Sequence, residues 1–175
     1  MVSLAIAEQL QSPWLIANLT SIRRKLTASF AYFNITSSNY AVPNSEFYVL
    51  QAQGRFAEAE ALRFEMLCQS SYQPLAELAR KIKGELRYHT MHANYWLKKL
   101  GTATEESKAR MQQSLNELLP YAVGIFEESE FEPELIKENI FAGEVDLKTK
   151  WKDSVTEIIS GTELFLSDWA TIKPI

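Results

Sequence analysis

Both histidines of the chain lie in the stretch GELRYHTMHANYWLKKLG, residues 84–101. Glu85 precedes His89 by four residues, and Trp96 follows His92 by four. On an α-helix this spacing places the four side chains along one stripe. Glutamates and histidines that project inward from the helices of a bundle are the ligands of carboxylate-bridged metal centres. This segment is therefore the first candidate for chemistry.

The count of ligands in the sequence argues against a complete di-iron site. Such a site takes a Glu from each of two helices and a Glu-x-x-His pair from each of the other two. No glutamate stands three residues before a histidine, since Leu86 precedes His89 and His89 precedes His92 at that distance. Glu65, Glu85, His89 and His92 remain as weak candidates for a vestigial site, with a single weakly held metal at Glu85 and His89 left open. The sequence predicts no catalytic residue, no cofactor and no di-iron centre.

The simplest interpretation of His89 is a core histidine that forms a hydrogen bond with Glu85 or Glu65. A buried polar side chain needs a hydrogen-bond partner, and that partner is usually another protein group. His92 is expected at the edge of the same stripe. Trp96 is expected to pack against apolar neighbours, with its indole N–H in a hydrogen bond.

Composition excludes several classes of protein. The apolar fraction is 46% and the charged fraction 23%, which is typical of a globular domain, and the net charge of −4 gives no general case for nucleic-acid binding. No apolar run approaches the roughly 20 residues of a membrane helix. The N-terminus lacks a basic flank before its apolar residues, so we do not expect a signal peptide. The lone Cys68, interpreted as a small buried hydrophobe, fits a reducing cytosol.

Apolar residues recur at three- and four-residue steps along the chain, which predicts helices. A first helix begins at or near Pro13. Residues 34–47 carry turn formers and are predicted to form a loop. Residues 55–69, rich in alanine and glutamate, form a second helix. The apolar stripe of the first helix contains Leu15, Leu19, Ile22, Leu26, Phe30 and Phe33.

Three more helices are predicted in the C-terminal part. Pro74 opens the third helix and Gly101 ends it. Thr102 and Glu105 have the spacing of a capping box for the fourth helix, which Pro120 should kink or end early. The predicted inner stripes contain Leu75, Leu78, Ala79, Ile82, Leu86, His89, Ala93, Trp96 and Leu100 in the third helix, then Met111, Leu115, Leu118, Leu119, Ala122 and Phe126, and finally Leu147, Trp151, Val155 and Ile158. Short links between such helices predict an all-α, up-down helical bundle in a single domain, residues 1–175.

Two charged segments are candidates for contacts with partners. The basic segment SIRRKL, residues 21–26, could meet phosphates or acidic groups, but a solvated helix face is the simpler interpretation. The acidic segment 127–138 is expected to be exposed and could form a docking surface.

Three ordered motifs carry a resemblance to a known family. KIKGELRYHTMHANYWLKKLG is followed by ARMQQSLNELLPYAVGIFE and then by GEVDLKTKWKDSV. In this order they resemble the phenylacetic acid catabolic protein family, and within it the PaaC-type structural subunits, over residues 75–159. The resemblance implies a ferritin-like fold. It also implies a subunit that lacks a complete iron site and supports a catalytic di-iron subunit, which epoxidises a CoA-activated aromatic ring.

Two functions from different classes follow. The favoured one is a non-catalytic, cytoplasmic scaffold subunit, which forms a homodimer in isolation and a heteromer with a di-iron oxygenase subunit. The alternative is a stand-alone ferritin-like metal-binding protein or oxidoreductase with a degenerate or inter-subunit metal site. We expect neither nucleic acid nor membrane as a partner.

Overall fold

The computed structural model describes the backbone of residues 45–174 and the side chains of residues 55–174. The predicted first helix and the basic segment 21–26 lie outside the described residues. Within them the chain forms helices and no strand, which confirms the all-α class. The described helices are α1 (Ser45–Leu67), α2 (Gln73–Leu100), α3 (Glu105–Gly124), α4 (Glu132–Lys137) and α5 (Glu144–Ser160). None of the described helices is long and apolar enough to cross a membrane.

Helix α1 is the central element, because it packs against α2, α3 and α5. The core between them contains Ala59 of α1, Leu97 of α2, Leu115 of α3 and Trp151 of α5, all fully buried. The centre of the Phe126 ring lies 5.1 Å from that of the Trp151 ring, with the two planes tilted by 50°. The stripes predicted for α3 and α5 are buried as expected, with Ile159 rather than Ile158 as the last fully buried residue of α5.

Helix α1 begins at Ser45, ten residues before the predicted start and inside the predicted loop. Gly54 lies within this helix. A glycine inside a helical pattern weakens the signal for a helix, and this explains the late predicted start. The ends of α2 are as predicted. Pro74 lies in its first turn, and the Gly101 N–H bonds to the Leu97 carbonyl at 2.8 Å.

The start of α3 corrects the predicted capping box. The N-cap is Thr104, whose hydroxyl accepts a hydrogen bond from the Ser107 N–H at 3.1 Å, while the Ser107 hydroxyl accepts one from the Thr104 N–H at 3.1 Å. Thr102 instead donates to a carbonyl in the last turn of α2. The box was predicted two residues early because a glutamate usually fills the third helical position. Here a serine fills it, and Glu105 is the first helical residue.

Pro120 does not end α3, which continues to Gly124. Proline removes one backbone donor from the helix. The neighbouring side chains Leu118, Leu119 and Ala122 are buried in the core, so tertiary packing holds the helix beyond the proline.

The acidic segment 127–138 is only partly exposed, which corrects the prediction. Glu132 and Leu135 are buried, whereas Glu127, Glu128, Glu130, Glu134 and Glu138 are exposed. The Glu132 carboxylate accepts a hydrogen bond from the Glu144 N–H at 2.6 Å. The first N–H groups of a helix need acceptors and favour negative charge, so Glu132 is buried at the N-terminus of α5. Gly143 (φ 102°) makes this approach possible, since a Cβ there would lie 2.9 Å from the Glu132 carboxylate.

Candidate functional site

The cluster predicted from the histidine motif lies on the outside of α2. Glu85, His89 and His92 are all exposed, and Trp96 is 44% exposed. The prediction of an inward-facing cluster with a core histidine at position 89 is therefore wrong. The Trp96 indole N–H donates to His92 Nε2 at 3.2 Å, so the His92 imidazole bonds within its own helix.

The orientation of α2 is set by small residues. Its buried residues are Ala76, Ala79, Ala93 and Leu97. Alanines let a neighbouring helix approach closely, and the larger residues then turn toward the flanks and the solvent. The predicted stripe followed the bulky residues and so placed His89 and Trp96 on the wrong side of the helix.

Glu65, the fourth candidate ligand, is exposed as well. Its carboxylate accepts a hydrogen bond from the Lys83 ammonium at 2.8 Å, and this bond and the attraction of the Glu65 charge raise the pKa of Lys83. The predicted Glu65–His89 hydrogen bond is therefore replaced by a surface ion pair. Among the residues that the structure describes, no group of three histidines, cysteines or carboxylates is placed to hold a metal ion.

A charged cluster lies instead in the interior, around Arg63 of α1. The Arg63 guanidinium is 3% exposed and forms ion pairs with Glu60, at 3.2 Å, and with the buried Glu144 of α5. Burial alone would lower the pKa of Arg63, but the charges of Glu60 and Glu144 outweigh it and raise the pKa above its ordinary value. The cluster therefore keeps its cation at any physiological pH and joins α1 to the first turn of α5.

Arg55 is a second buried guanidinium on α1, two turns before Arg63. It is 1% exposed, and none of its three nitrogens has a hydrogen-bond partner in the described part of the chain. Burial lowers its pKa to about 10, and the charge of Glu58 opposes this shift only in part. Its backbone carbonyl accepts a hydrogen bond from the Trp151 indole at 3.0 Å, which fixes this turn of α1 against α5.

Glu58 connects three helices through its carboxylate. It accepts hydrogen bonds from the Ser154 hydroxyl of α5 and from the Asn94 amide of α2, the latter at 3.4 Å. These two neutral donors bond to the Glu58 carboxylate between the helices, and the nearby positive charge of Arg55 attracts it. Glu58 is thus satisfied by protein groups, and one oxygen of the Glu60 carboxylate accepts a hydrogen bond from Arg63.

The described interior does not fit a di-iron centre. A ferritin-type centre requires carboxylates from all four helices and two histidines. The inner positions of α3 are Met111, Leu115 and Leu118, and both histidines lie outside the bundle. The interior carboxylates are paired with arginine, serine and asparagine.

Sequence reasoning missed Arg55, Arg63, Glu132 and Glu144, the buried charged residues. Arg55, Ala59 and Arg63 follow one another at four-residue steps, which places them on one face of α1. That spacing was the available signal, but charged residues are almost never fully buried unless paired, so it did not predict buried arginines. Cys68 is buried, as predicted.

The chain is similar to proteins of aromatic catabolism. The model of a family described as phenylacetic acid catabolic protein matches residues 24–172. The chain is 31% identical over 114 residues to the C-type subunit of 1,2-phenylacetyl-CoA epoxidase from Escherichia coli (strain K12), and the match covers 65% of this chain and 46% of that protein. The chain therefore spans about half the length of the curated relative that it matches.

Proposed function

Because the chain belongs to the phenylacetic acid catabolic protein family, we propose that it is a non-catalytic, PaaC-like structural subunit. In this role it supports a di-iron oxygenase subunit that epoxidises an aromatic acyl-CoA in phenylacetate catabolism. The similarity to the C-type subunit of the E. coli epoxidase supports this role. The proposal includes a single ferritin-like domain, a cytoplasmic location, a homodimer in isolation and a heteromer in the cell.

The observation that carries the proposal is the pair of buried arginines on α1. Arg55 and Arg63 place two positive charges in the bundle interior, where an oxygen-activating subunit would need carboxylates around metal ions. A cation close to a carboxylate competes electrostatically with a metal ion for that carboxylate. The interior of α1 and α5 is therefore suited to holding helices together rather than to binding iron.

The test compares the chain alone with the chain co-expressed with a catalytic di-iron oxygenase subunit of the same family from the source genome. We expect far less than one iron per chain when it is purified alone. The co-purified complex should contain two irons for each oxygenase subunit. Supplied with O₂ and a two-electron reductant, the oxygenase subunit should convert phenylacetyl-CoA to its epoxide and water only when this chain is present. Two equivalents of tightly bound iron in the isolated chain would favour the stand-alone metal-binding alternative and contradict the scaffold function.

A further inference from the structure

The outward side of α2 carries a row of large exposed apolar side chains. Tyr88 is 62% exposed, Met91 61%, Tyr95 55% and Trp96 44%. Their spacing of three and four residues places Tyr88, Met91 and Tyr95 on one face of the helix. We call Tyr88, Met91, His92, Tyr95 and Trp96 the α2 outer face.

The α2 outer face lies opposite the side of the helix that packs in the core. The buried residues Ala76, Ala79, Ala93 and Leu97 form the inner side of the same helix. A helix with apolar residues on both sides is typically covered on both sides in the native assembly. Contiguous exposed apolar residues of this kind mark protein interaction sites. At the N-terminal end of the row, a Cβ built on Gly84 would have no heavy atom from another described part of the chain within 4 Å, so the described structure leaves the helix backbone open to close approach there.

Contacts within the α2 outer face order its side chains in advance. The Trp96 indole donates to His92 at 3.2 Å, and the Tyr95 and Trp96 rings meet edge to face at 5.5 Å. The Lys99 ammonium lies 5.8 Å from the centre of the Tyr95 ring. A surface whose side chains are already ordered loses less conformational entropy on binding.

Positive charge surrounds this face, although the whole chain has a net charge of −4. The exposed cations of α2 are Arg80, Lys81, Lys83, Arg87, Lys98 and Lys99, against only Glu77 and Glu85 as exposed acids. Within the described part of the chain, only Lys83 of these cations forms an ion pair with a carboxylate, Glu65. The face is therefore an aromatic strip with a basic rim.

This charge distribution indicates whether the α2 outer face binds a second copy of the chain or a different protein. A two-fold dimer places the same patch of both subunits together. If the α2 outer face packed against the same face of a second copy, the interface would bring together lysines of both subunits, those around Lys81 and those at Lys98 and Lys99. These like charges would also lose contact with water. Like charges juxtaposed in an interface oppose binding. A homodimer of the isolated chain would therefore use another surface.

We propose that the α2 outer face docks a different chain, whose surface carries an apolar helical ridge flanked by carboxylates. Building on the proposed function, that chain is the di-iron oxygenase subunit. The aromatic side chains pack on its apolar ridge, and the lysines and Arg87 meet its acidic groups. Hydrogen-bonding groups at the border between the aromatic strip and the basic rim come from the Tyr88 and Tyr95 hydroxyls and the His92 imidazole.

The test uses biolayer interferometry to measure binding of the purified full chain to a catalytic di-iron oxygenase subunit of the same family from the source genome. Tyr88→Glu combined with Tyr95→Glu places carboxylates against a carboxylate-rimmed partner and should weaken binding by about 30-fold or more, the effect of a lost hot spot. Lys98→Glu should slow association and reduce its dependence on salt. Phe165→Glu is the matched control, since Phe165 is 72% exposed but lies on the C-terminal segment against α3, and should leave binding unchanged.

Each outcome bears on the inference. Far-UV circular dichroism and the melting temperature should not change in the α2 variants, because the replaced side chains are exposed. If the wild-type chain binds the oxygenase subunit and the double tyrosine variant binds it equally well, the docking face is refuted and the proposed function stands. If the double variant instead converts a homodimer to a monomer, the occupant is a second copy. If the wild-type chain does not bind the oxygenase subunit, both the docking face and the proposed function are refuted.

Discussion

Arg63 of α1 and Glu144 of α5 form a buried ion pair, whereas Arg55, two turns earlier on α1, is equally buried without a hydrogen-bond partner among the described residues. One helix thus carries a guanidinium paired with carboxylates and a second guanidinium that the charge of Glu58 compensates only in part. The two arginines should therefore respond in opposite ways to the same substitution.

Replacing Arg63 by Met should lower the free energy of unfolding by about 3–5 kcal/mol, because it leaves the buried Glu144 carboxylate without its cation. Urea denaturation at pH 7 measures the change. The double variant Arg63→Met with Glu144→Gln should recover part of the loss, since the orphaned charge is then removed. Equal stability of the Arg63→Met variant and the wild type would show that the pair is not coupled in the folded state.

Replacing Arg55 by Met should leave stability unchanged or raise it by up to about 1–4 kcal/mol, the range seen when buried ionic groups are replaced by well-packed apolar residues of similar volume. The pKa of Arg55 falls to about 10 on folding, so its charged form is disfavoured in the folded state. This penalty is complete below pH 10 and declines as the pH rises from 10 toward the ordinary value of 12.5. The advantage of the Met variant, measured by denaturation at pH 7 and at pH 11, should therefore be smaller at pH 11. A loss of stability at pH 7 would contradict this account.

Alanine substitutions at two glycines should change the stability of the fold in opposite directions. Gly143→Ala should destabilise the fold by about 1–3 kcal/mol, since φ is 102° and the new Cβ would lie 2.9 Å from the Glu132 carboxylate. Gly84→Ala should stabilise the fold by about 0.5–1 kcal/mol, because Gly84 is within α2 and its new Cβ would meet no other described element within 4 Å. Thermal and urea unfolding of both variants provide the comparison, and the same sign for both would refute it.

Replacing His89 by Ala should change stability by no more than about 0.5 kcal/mol, because the side chain is exposed. Leu97→Ala, at a fully buried position on the inner side of the same helix, should cost about 2–5 kcal/mol. Urea midpoints of the two variants measure the contrast. A large loss in the His89 variant would restore the core-histidine interpretation.

The sequence determined the helical class and much of the element plan. The regular stripes of α3 and α5 are buried as predicted. Their bulky aliphatic and aromatic residues recur at helical spacing, so each helix has one apolar face that gains free energy when it is buried in the core. Pro74 and Gly101 marked the ends of α2, because a proline is best tolerated in the first turn of a helix and a glycine is the common residue after its end. These signals are local, so they need no knowledge of neighbouring elements.

Which side chains are buried in the bundle and which face the solvent was decided by the tertiary structure. The rotation of α2 depends on how closely its alanines let α1 approach, and this turned His89 and Trp96 away from the core. The burial of Arg63 depends on a carboxylate 81 positions away in the sequence, and that of Glu132 depends on the N-terminus of α5. A charged side chain is stable in the interior only when a distant partner compensates it, and sequence periodicity carries no information about that partner.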